Sequence, residues 1–574
     1  MYKGMKTISI VLAGALIFGC LAGCQKDEKK GGEKTTRESV VEKYKSKKDA
    51  SDTINDFVTG IFQTQKNSAM MAEDGIAYSE ESIEYEAETG DTFIEPDNSD
   101  YPYEEIDFDT REYDYVKENP FVSTSDRPLS TFAADRDTAS YSNVRGYIEN
   151  GQLPPEGAVR IEEMINYFNY SYKSKPADGE KFAVYTEYTD CPWNKDTQLM
   201  MVGINTDDID FEDKKPSNLV FLIDTSGSMY DDDKLPLVQT SFKMLAENLD
   251  KNDKVSIVTY AGEDTVVLSG TAGDEHYTIT EALDSMTAEG CTNGGDAIIT
   301  AYELAEKYYI EGGNNRVILA TDGDLNVGLT SESDLVNLIT EEKDTGIFLS
   351  VLGFGDDNLK DNKLEALADN GNGFYAYIDS EYEAKKALVN DMGGNLFAVA
   401  KDVKFQIEFN PANVKGYRLI GYENRALADT DFANDAVDGG EMGAGHIVTV
   451  LYEIVPIDSA YEVPSADKKY SSDYAASGEN GDELATVNIR YKEIDEDTST
   501  LMSKIVKIDS YDNKMTDDMS FVSAVAAYGM LLKKSEYSKT ADYDMVLELA
   551  EGAAQTDEYK KQFVDMVKKT MELR

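Results

Sequence analysis

At 574 residues, with 41% hydrophobic side chains, the chain is too long for one core and is expected to carry two to four domains. A formal net charge of −55 excludes nucleic acid as a partner, because phosphate would be repelled rather than neutralised. The two histidines, His276 and His446, leave almost nothing from which to build a zinc site or a Ser-His-Asp hydrolase.

In chain order, "MYKGMKTISIVLAGALIFGCLAGC" places Lys3 and Lys6 before an uncharged stretch from Thr7 that ends in Leu21-Ala22-Gly23-Cys24. This is the pattern of a secretory signal over residues 1–23. The alternative, a transmembrane anchor, is disfavoured: the run is short for the ~20 residues of a span, and small residues crowd its end. The last four residues resemble the lipobox of bacterial lipoproteins. That resemblance implies that Cys24 is lipidated and is the first mature residue, placing the chain outside the cytoplasm and tethered to the cell membrane rather than spanning it. Cys20 then leaves with the signal, and Cys191 and Cys291 remain; two cysteines make no disulfide framework, and free thiols are the favoured reading over a single Cys191–Cys291 pair.

Residues 24–111 are polar and charged, as in "KDEKKGGEKTTRE" and "YSEESIEYEAETGD". They read as a disordered acidic spacer in which "INDFVTGIF" forms at most a short helix. Residues 112–216 predict helices over Ala139 to Asn150 and Ala158 to Phe168, the second burying Val159, Met164 and Phe168. The strands "KFAVYTEYT" and "TQLMMVGINT" follow.

Residues 217–397 have another rhythm. The apolar strands "NLVFLID", "KVSIVTY", "TVVLSG", "RVILATD", "IFLSVLGFG" and "GFYAYID" mostly alternate with amphipathic helices. In the first helix Val238, Phe242, Leu245 and Leu249 recur at helical spacing and Pro236 fits the first turn. The block predicts an α/β fold with a doubly wound, mainly parallel sheet. "KVSIVTY" and "TVVLSG" are too close for a helix between them, so one is expected as an antiparallel edge. Residues 398–510 are β-rich with period two, as in "VKFQIEFNP", where Val403, Phe405, Ile407 and Phe409 alternate with Lys404, Gln406 and Glu408. Residues 511–574 are helical.

Three clusters stand at matching places in the α/β block. Asp224, Ser226 and Ser228 follow the first strand, Thr292 precedes a helix in "GCTNGGDAI", and Asp322 follows a later strand in "ATDGDLNVG". Ligands of open α/β sheets gather beyond the carboxyl ends of the strands, so all three should converge at one rim. Two carboxylates and three hydroxyls make a hard, all-oxygen donor set suited to Mg²⁺, with Mn²⁺ or Ca²⁺ as alternatives, rather than to zinc. Simple helix capping by Asp224 and Ser226 would leave the other two clusters unexplained. "DGDLNVG" from Asp322 mimics a calcium loop, but Val327 stands at the glycine position and Ser333 at the terminal glutamate position, which rejects an EF-hand. Asp296 and Asp324 read as a helix cap and a solvated turn, "YDDDK" as a solvated loop and Trp193 as packing.

On these residues the chain resembles the von Willebrand factor type A domain with its metal-ion-dependent adhesion site, whose pattern is D-x-S-x-S, then a threonine, then the aspartate of T-D-G. The resemblance implies that Ser226 and Ser228 ligate the ion directly, that Thr292 and Asp322 do so directly or through water, and that a carboxylate from a protein partner completes the shell. Cys291 departs from the pattern, where a small residue such as Ser or Gly is expected. "NPFVSTSDRPLSTFAADRDTASYSNVR", "GQLPPEGAVRIEEMINYF" and "FVSAVAAYGMLLKKSEY" resemble the flanks of a group of bacterial envelope proteins that carry this domain. The function implied is a lipid-anchored binding protein, with a scaffold or chaperone-like factor for an envelope complex as the alternative. An enzyme is not expected, Asp324 being the only candidate base near the ion.

One expectation concerns architecture. The period-two segments on either side of the block, Phe182 to Asn205 and Val403 to Ile508, are predicted to join in one antiparallel β-sandwich into which the α/β domain is inserted. The metal rim should point away from that junction, and the terminal helices should pack on the sandwich or on the helix near Ala158.

Overall fold

The computed structural model describes residues 111–574 except 115, 135–136, 209–213, 263, 291–294, 324–331, 357–358, 466–480, 495 and 556. All of these lie in one compact unit, Glu80–Arg574. The signal, Cys24 and nearly all of the spacer lie outside the described residues, as do Cys291, Thr292 and Asp324.

The α/β block is a sheet in the order β10-β9-β8-β5-β6-β7. Its strands are β5 Ser217–Asp224, β6 Lys254–Tyr260, β7 Asp264–Ala272, β8 Asn314–Thr321, β9 Ile347–Gly353 and β10 Tyr375–Tyr377. All pairs are parallel except β6 with β7, the antiparallel edge that the short connection requires. β5 lies in the interior and is buried at every position, which is why it reads as a continuous apolar run rather than an alternating one. The helix Leu235–Ala246, with a proline in its first turn, lays Val238, Phe242 and Leu245 on the sheet. There Phe242 stacks on Phe221, with ring centroids 4.2 Å apart.

Two antiparallel sheets enclose the second core. One runs β1-β12-β14-β4-β3, formed by β1 Val122–Ser123, β3 Phe182–Asp190, β4 Gln198–Thr206, β12 Val414–Ile420 and β14 Ile447–Pro456. The other runs β13-β11-β15-β16, with β2 also on β11; its strands are β2 Leu129–Ala133, β11 Ala398–Phe409, β13 Gly440–Gly443, β15 Glu483–Lys492 and β16 Thr500–Lys507. Residues from before and after the α/β block thus share a sheet: Ile447 to Ile454 on β14 face Asn205 to Gln198 on β4. Met200, Val202 and Ile204 meet Phe405, Ile407 and Phe409 in the common core of the sandwich.

β4 is buried on both faces. Its alternate residues Leu199 and Met201 face a third core, which includes Ile161, Met164 and Ile165 together with Phe521, Val522 and Val525 of the terminal helix Asp517–Leu532. The terminal helices therefore pack on the sandwich and on the helix Ile161–Asn166 at once. That helix is shorter than the sequence predicts, because Glu156–Ala158 forms a separate 3₁₀ turn and Val159 is extended. The helix Asp517–Leu532 starts where the Thr516 side chain accepts from the Met519 N–H, satisfying one of the first orphan donors.

One expectation needs correction. The period-two alternation of β11 predicts a half-buried strand with Lys404, Gln406 and Glu408 on its polar face, but Lys404 and Gln406 are buried. The segment leading to Asn434 lies over them, and Lys404 Nζ donates to Asn434 O at 2.8 Å. The rim formed by the carboxyl ends of the parallel strands is also met by a flanking helix. Asp224 is at the far end of β5 from Ser217, but β10 ends on the same rim and carries the chain back toward the sandwich. The first helix, Ala139–Glu149, therefore reaches that rim: Arg145 bonds Asp379 at 2.6 and 2.7 Å, and Asn150 Nδ2 donates to Asp356 at 2.7 Å.

Candidate metal site

At the carboxyl end of β5 the chain turns through a short 3₁₀ helix, Gly227–Tyr230, before the helix Leu235–Ala246. The Ser226 N–H donates to Asp224 Oδ1 at 2.9 Å, and the Ser226 and Ser228 hydroxyl oxygens lie 3.0 Å apart. Thr321 Oγ1, at the end of β8, donates to Asp224 Oδ2 at 3.4 Å, so the next residue, Asp322, arrives at the same place. The third segment is stitched in by backbone: Glu289 N–H bonds Thr225 O at 2.8 Å, and Gly227 N–H bonds Gly290 O at 3.1 Å. These bonds bring the chain within two residues of Thr292 to the serine loop. Thr292 itself and the Asp296 side chain lie outside the described residues.

The site is deeper than a solvent-facing rim. Asp224 is 0% exposed and Asp322 1%. Burial pushes the Asp224 carboxyl up to about 6 against the opposing pull of its bonds to Ser226, and the charge of Asp322 adds to the rise. Asp322 Oδ1 is buried with no hydrogen-bond partner among the described residues, a costly state for a carboxylate oxygen unless another group binds it. Among the described residues no group of three or more His, Cys, Asp or Glu side chains gathers to hold a metal. The donors here are instead two carboxylates and neighbouring hydroxyls. They fit a hard divalent cation that keeps some water: Asp224, Ser226, Ser228 and Asp322 are in place to hold it.

One residue of the site escaped the sequence reading. Lys234, at the end of the "YDDDK" run, is 2% exposed rather than solvated. Its ammonium donates to Ser228 O at 3.0 Å and meets Asp322 Oδ2 at 3.3 Å. A signal was available: the one cation in an acidic run stands just before a helix N-terminus, where positive charge is disfavoured unless it is paired. Tyr230, Asp231 and Asp232 are exposed, as expected. His276 and His446 take no part: His276 Nε2 lies 3.1 Å from Leu249 O, and His446 lines a separate cavity of about 330 Å³ with Lys173 and Lys386. Cys191 is a buried free thiol whose pKa is pushed up by burial, and Trp193 is buried in the core.

Comparison with known proteins shows the family to which the chain belongs. A family model described as von Willebrand factor type A domain matches residues 218–391. A second, described as von Willebrand factor, matches residues 107–201, and a third, described as Uncharacterized protein YfbK, C-terminal, matches residues 394–573. Uncharacterized protein YfbK of Escherichia coli (strain K12) is 41% identical over 468 residues, 80% of this chain and 80% of its own. Uncharacterized protein sll0103 of Synechocystis sp. is 29% identical over 178 residues, 30% of this chain and 40% of its own. Among solved structures, von Willebrand factor type A from Catenulispora acidiphila aligns with a TM-score of 0.38 at 14% identity, covering 68% of this chain and 89% of that one. The α/β block is a von Willebrand factor type A domain. With four-fifths of both chains aligned, the protein belongs to the same family as Escherichia coli YfbK.

Proposed function

We propose that this protein is a lipid-anchored, extracytoplasmic binding protein that grips a carboxylate of a protein partner through a divalent cation, with Mg²⁺ the expected ion. The observation that carries this reading is the buried Asp322 Oδ1 that lacks a hydrogen-bond partner among the described residues, beside Asp224 and the paired hydroxyls of Ser226 and Ser228. An ion held directly by neutral hydroxyls, with the aspartates bridged through water, would remain electrophilic and favour an incoming anionic oxygen, even on a protein of net charge −55. When bound, the ion supplies an open coordination position. The chain's own residues orient the donors: the Ser226 N–H holds one oxygen of Asp224, and Thr321 holds the other. No catalytic step is proposed.

The test is capture of partners from envelope extracts by the purified full chain, with and without a chelator. Capture that depends on the cation and is lost in Asp224→Ala supports the reading. Capture that survives chelation replaces it with a metal-independent scaffold for an envelope complex, and turnover of phosphate esters or peptides would replace it with an enzyme.

The anchor has its own test. Among the described residues no helix is long and apolar enough to cross a membrane, and the proposed attachment is a lipid on Cys24. Cys24→Ala is expected to move the protein from the membrane fraction to the soluble fraction on cell fractionation. Retention of the variant in the membrane fraction would rule out the lipid as the anchor.

A further inference from the structure

We propose that Lys234 is a built-in counter-ion of the metal site that lowers its affinity for the cation and raises the affinity of the loaded site for an anion. This rests on the metal reading above and goes beyond it, because it assigns the strength of the anion grip to a residue that is not a ligand.

The placement of Lys234 is costly unless it has a purpose at the site. It is the residue immediately before the helix Leu235–Ala246, where the helix dipole opposes a positive charge. It is also buried, where an unpaired ammonium would be strongly unfavourable. Three features accommodate it. The head reaches Ser228 O at 3.0 Å and Asp322 Oδ2 at 3.3 Å. The stem runs against Gly355, which has φ +72°, a conformation that favours glycine. A Cβ at that position would stand 2.4 Å from Lys234 Cε, so the absence of a side chain at 355 keeps the lysine's path open.

Asp322 divides its two oxygens. Oδ2 meets the ammonium, while Oδ1 has no hydrogen-bond partner among the described residues. The lysine therefore need not leave when a cation, or water bound to it, takes Oδ1. Two carboxylates against one ammonium leave this cluster at −1 without a divalent ion and at +1 with one. Were Lys234 neutral, the same cluster would go from −2 to zero on loading. In a buried site, where charge is poorly screened, that difference has opposite effects on the two binding steps. The ammonium repels the incoming cation, and afterwards it leaves surplus positive charge to attract a carboxylate. Without the ion it also offsets the repulsion between Asp224 and Asp322, the carboxylate it meets at 3.3 Å.

The test compares the full chain with its Lys234→Met variant. Mn²⁺ affinity is measured by calorimetry, and acetate, the carboxylate probe, is followed by its effect on solvent proton relaxation at the bound Mn²⁺. The variant is expected to bind Mn²⁺ on the order of tenfold more tightly and acetate on the order of tenfold more weakly. It should also melt below the wild type in chelator and recover in excess Mn²⁺. Equal or weaker Mn²⁺ affinity in a folded variant would overturn the inference, and so would a variant that excess Mn²⁺ cannot restore, which would make the lysine merely structural. Tighter Mn²⁺ with unchanged acetate would overturn the anion half. If only the variant binds Mn²⁺, the lysine's opposition to the cation stands while the metal reading fails for the natural protein. If neither binds it, both fall.

Discussion

Asp224→Ala is expected to lower Mg²⁺ and Mn²⁺ affinity by on the order of 100-fold or more, the loss expected if Asp224 holds the ion, since outer-shell neighbours alone are worth 10- to 100-fold, and to leave the fold in place. The first half follows from position: Asp224 ends the interior strand β5, and its two oxygens are oriented by Ser226 N–H and Thr321 Oγ1. The second half follows from burial. The carboxylate is desolvated and lies near a second carboxylate, Asp322, so its removal relieves repulsion while it takes an acceptor from the Thr321 hydroxyl and orphans the Ser226 N–H. Asp224→Asn keeps an acceptor for that N–H and should separate the two effects, with metal binding lost at near wild-type stability. Calorimetry of each variant, with circular dichroism as the check on folding, decides it, and undiminished affinity in Asp224→Ala would mean that the site lies elsewhere. Because burial raises the Asp224 carboxyl to about 6, protons compete with the metal there, and wild-type affinity should fall as the pH drops below that value.

Glu453→Gln is expected to destabilise the chain by about 3–5 kcal/mol, the cost of leaving a buried charge without its partner. Glu453 on β14 and Arg418 on β12 are both buried and meet at 3.2 Å. The carboxylate also accepts from Asn194 Nδ2 at 2.9 Å and Thr197 Oγ1 at 2.7 Å. The guanidinium contacts Met530 of the terminal helix Asp517–Leu532 at 3.4 Å and lies 4.3 Å from the Tyr537 ring centroid. This ion pair thus ties the sandwich to the terminal helices. Urea denaturation reads the loss as a lower midpoint. The double variant Arg418→Met/Glu453→Leu should recover most of it, since replacing both members of a buried pair by apolar groups is often neutral. No recovery would mean that the hydrogen bonds to Asn194 and Thr197, rather than the ion pair, supply the stability.

The part of the site that was legible in the sequence is the part in which spacing alone places donors together. Asp224, Ser226 and Ser228 are close because they are near neighbours in the chain. Asp322 joins them because β8 runs parallel to β5, with Ile223 opposite Ala320, and a parallel sheet aligns its carboxyl ends. Lys234 was misread because its fate depends on Gly355, more than a hundred residues away, which leaves room for the side chain to turn inward. Local composition, with three aspartates before it, pointed to solvent.

The fold divides in the same way. The order and type of the elements were readable from residue pattern alone: the buried parallel strands, the antiparallel edge β7, the period-two strands on either side and the helical end. Periodicity is a local property set by which faces are buried. It also carried the joining of the flanking strands, since neither set could bury its apolar face alone. Which second faces are covered depends instead on long-range packing. β4 is sealed by the terminal helices, Lys404 and Gln406 lie under the segment leading to Asn434, and the first helix is tied to the metal rim through Arg145 and Asn150. Such choices rest on groups tens to hundreds of residues apart finding polar partners and filled space. Those are properties of packing that no window of the sequence contains.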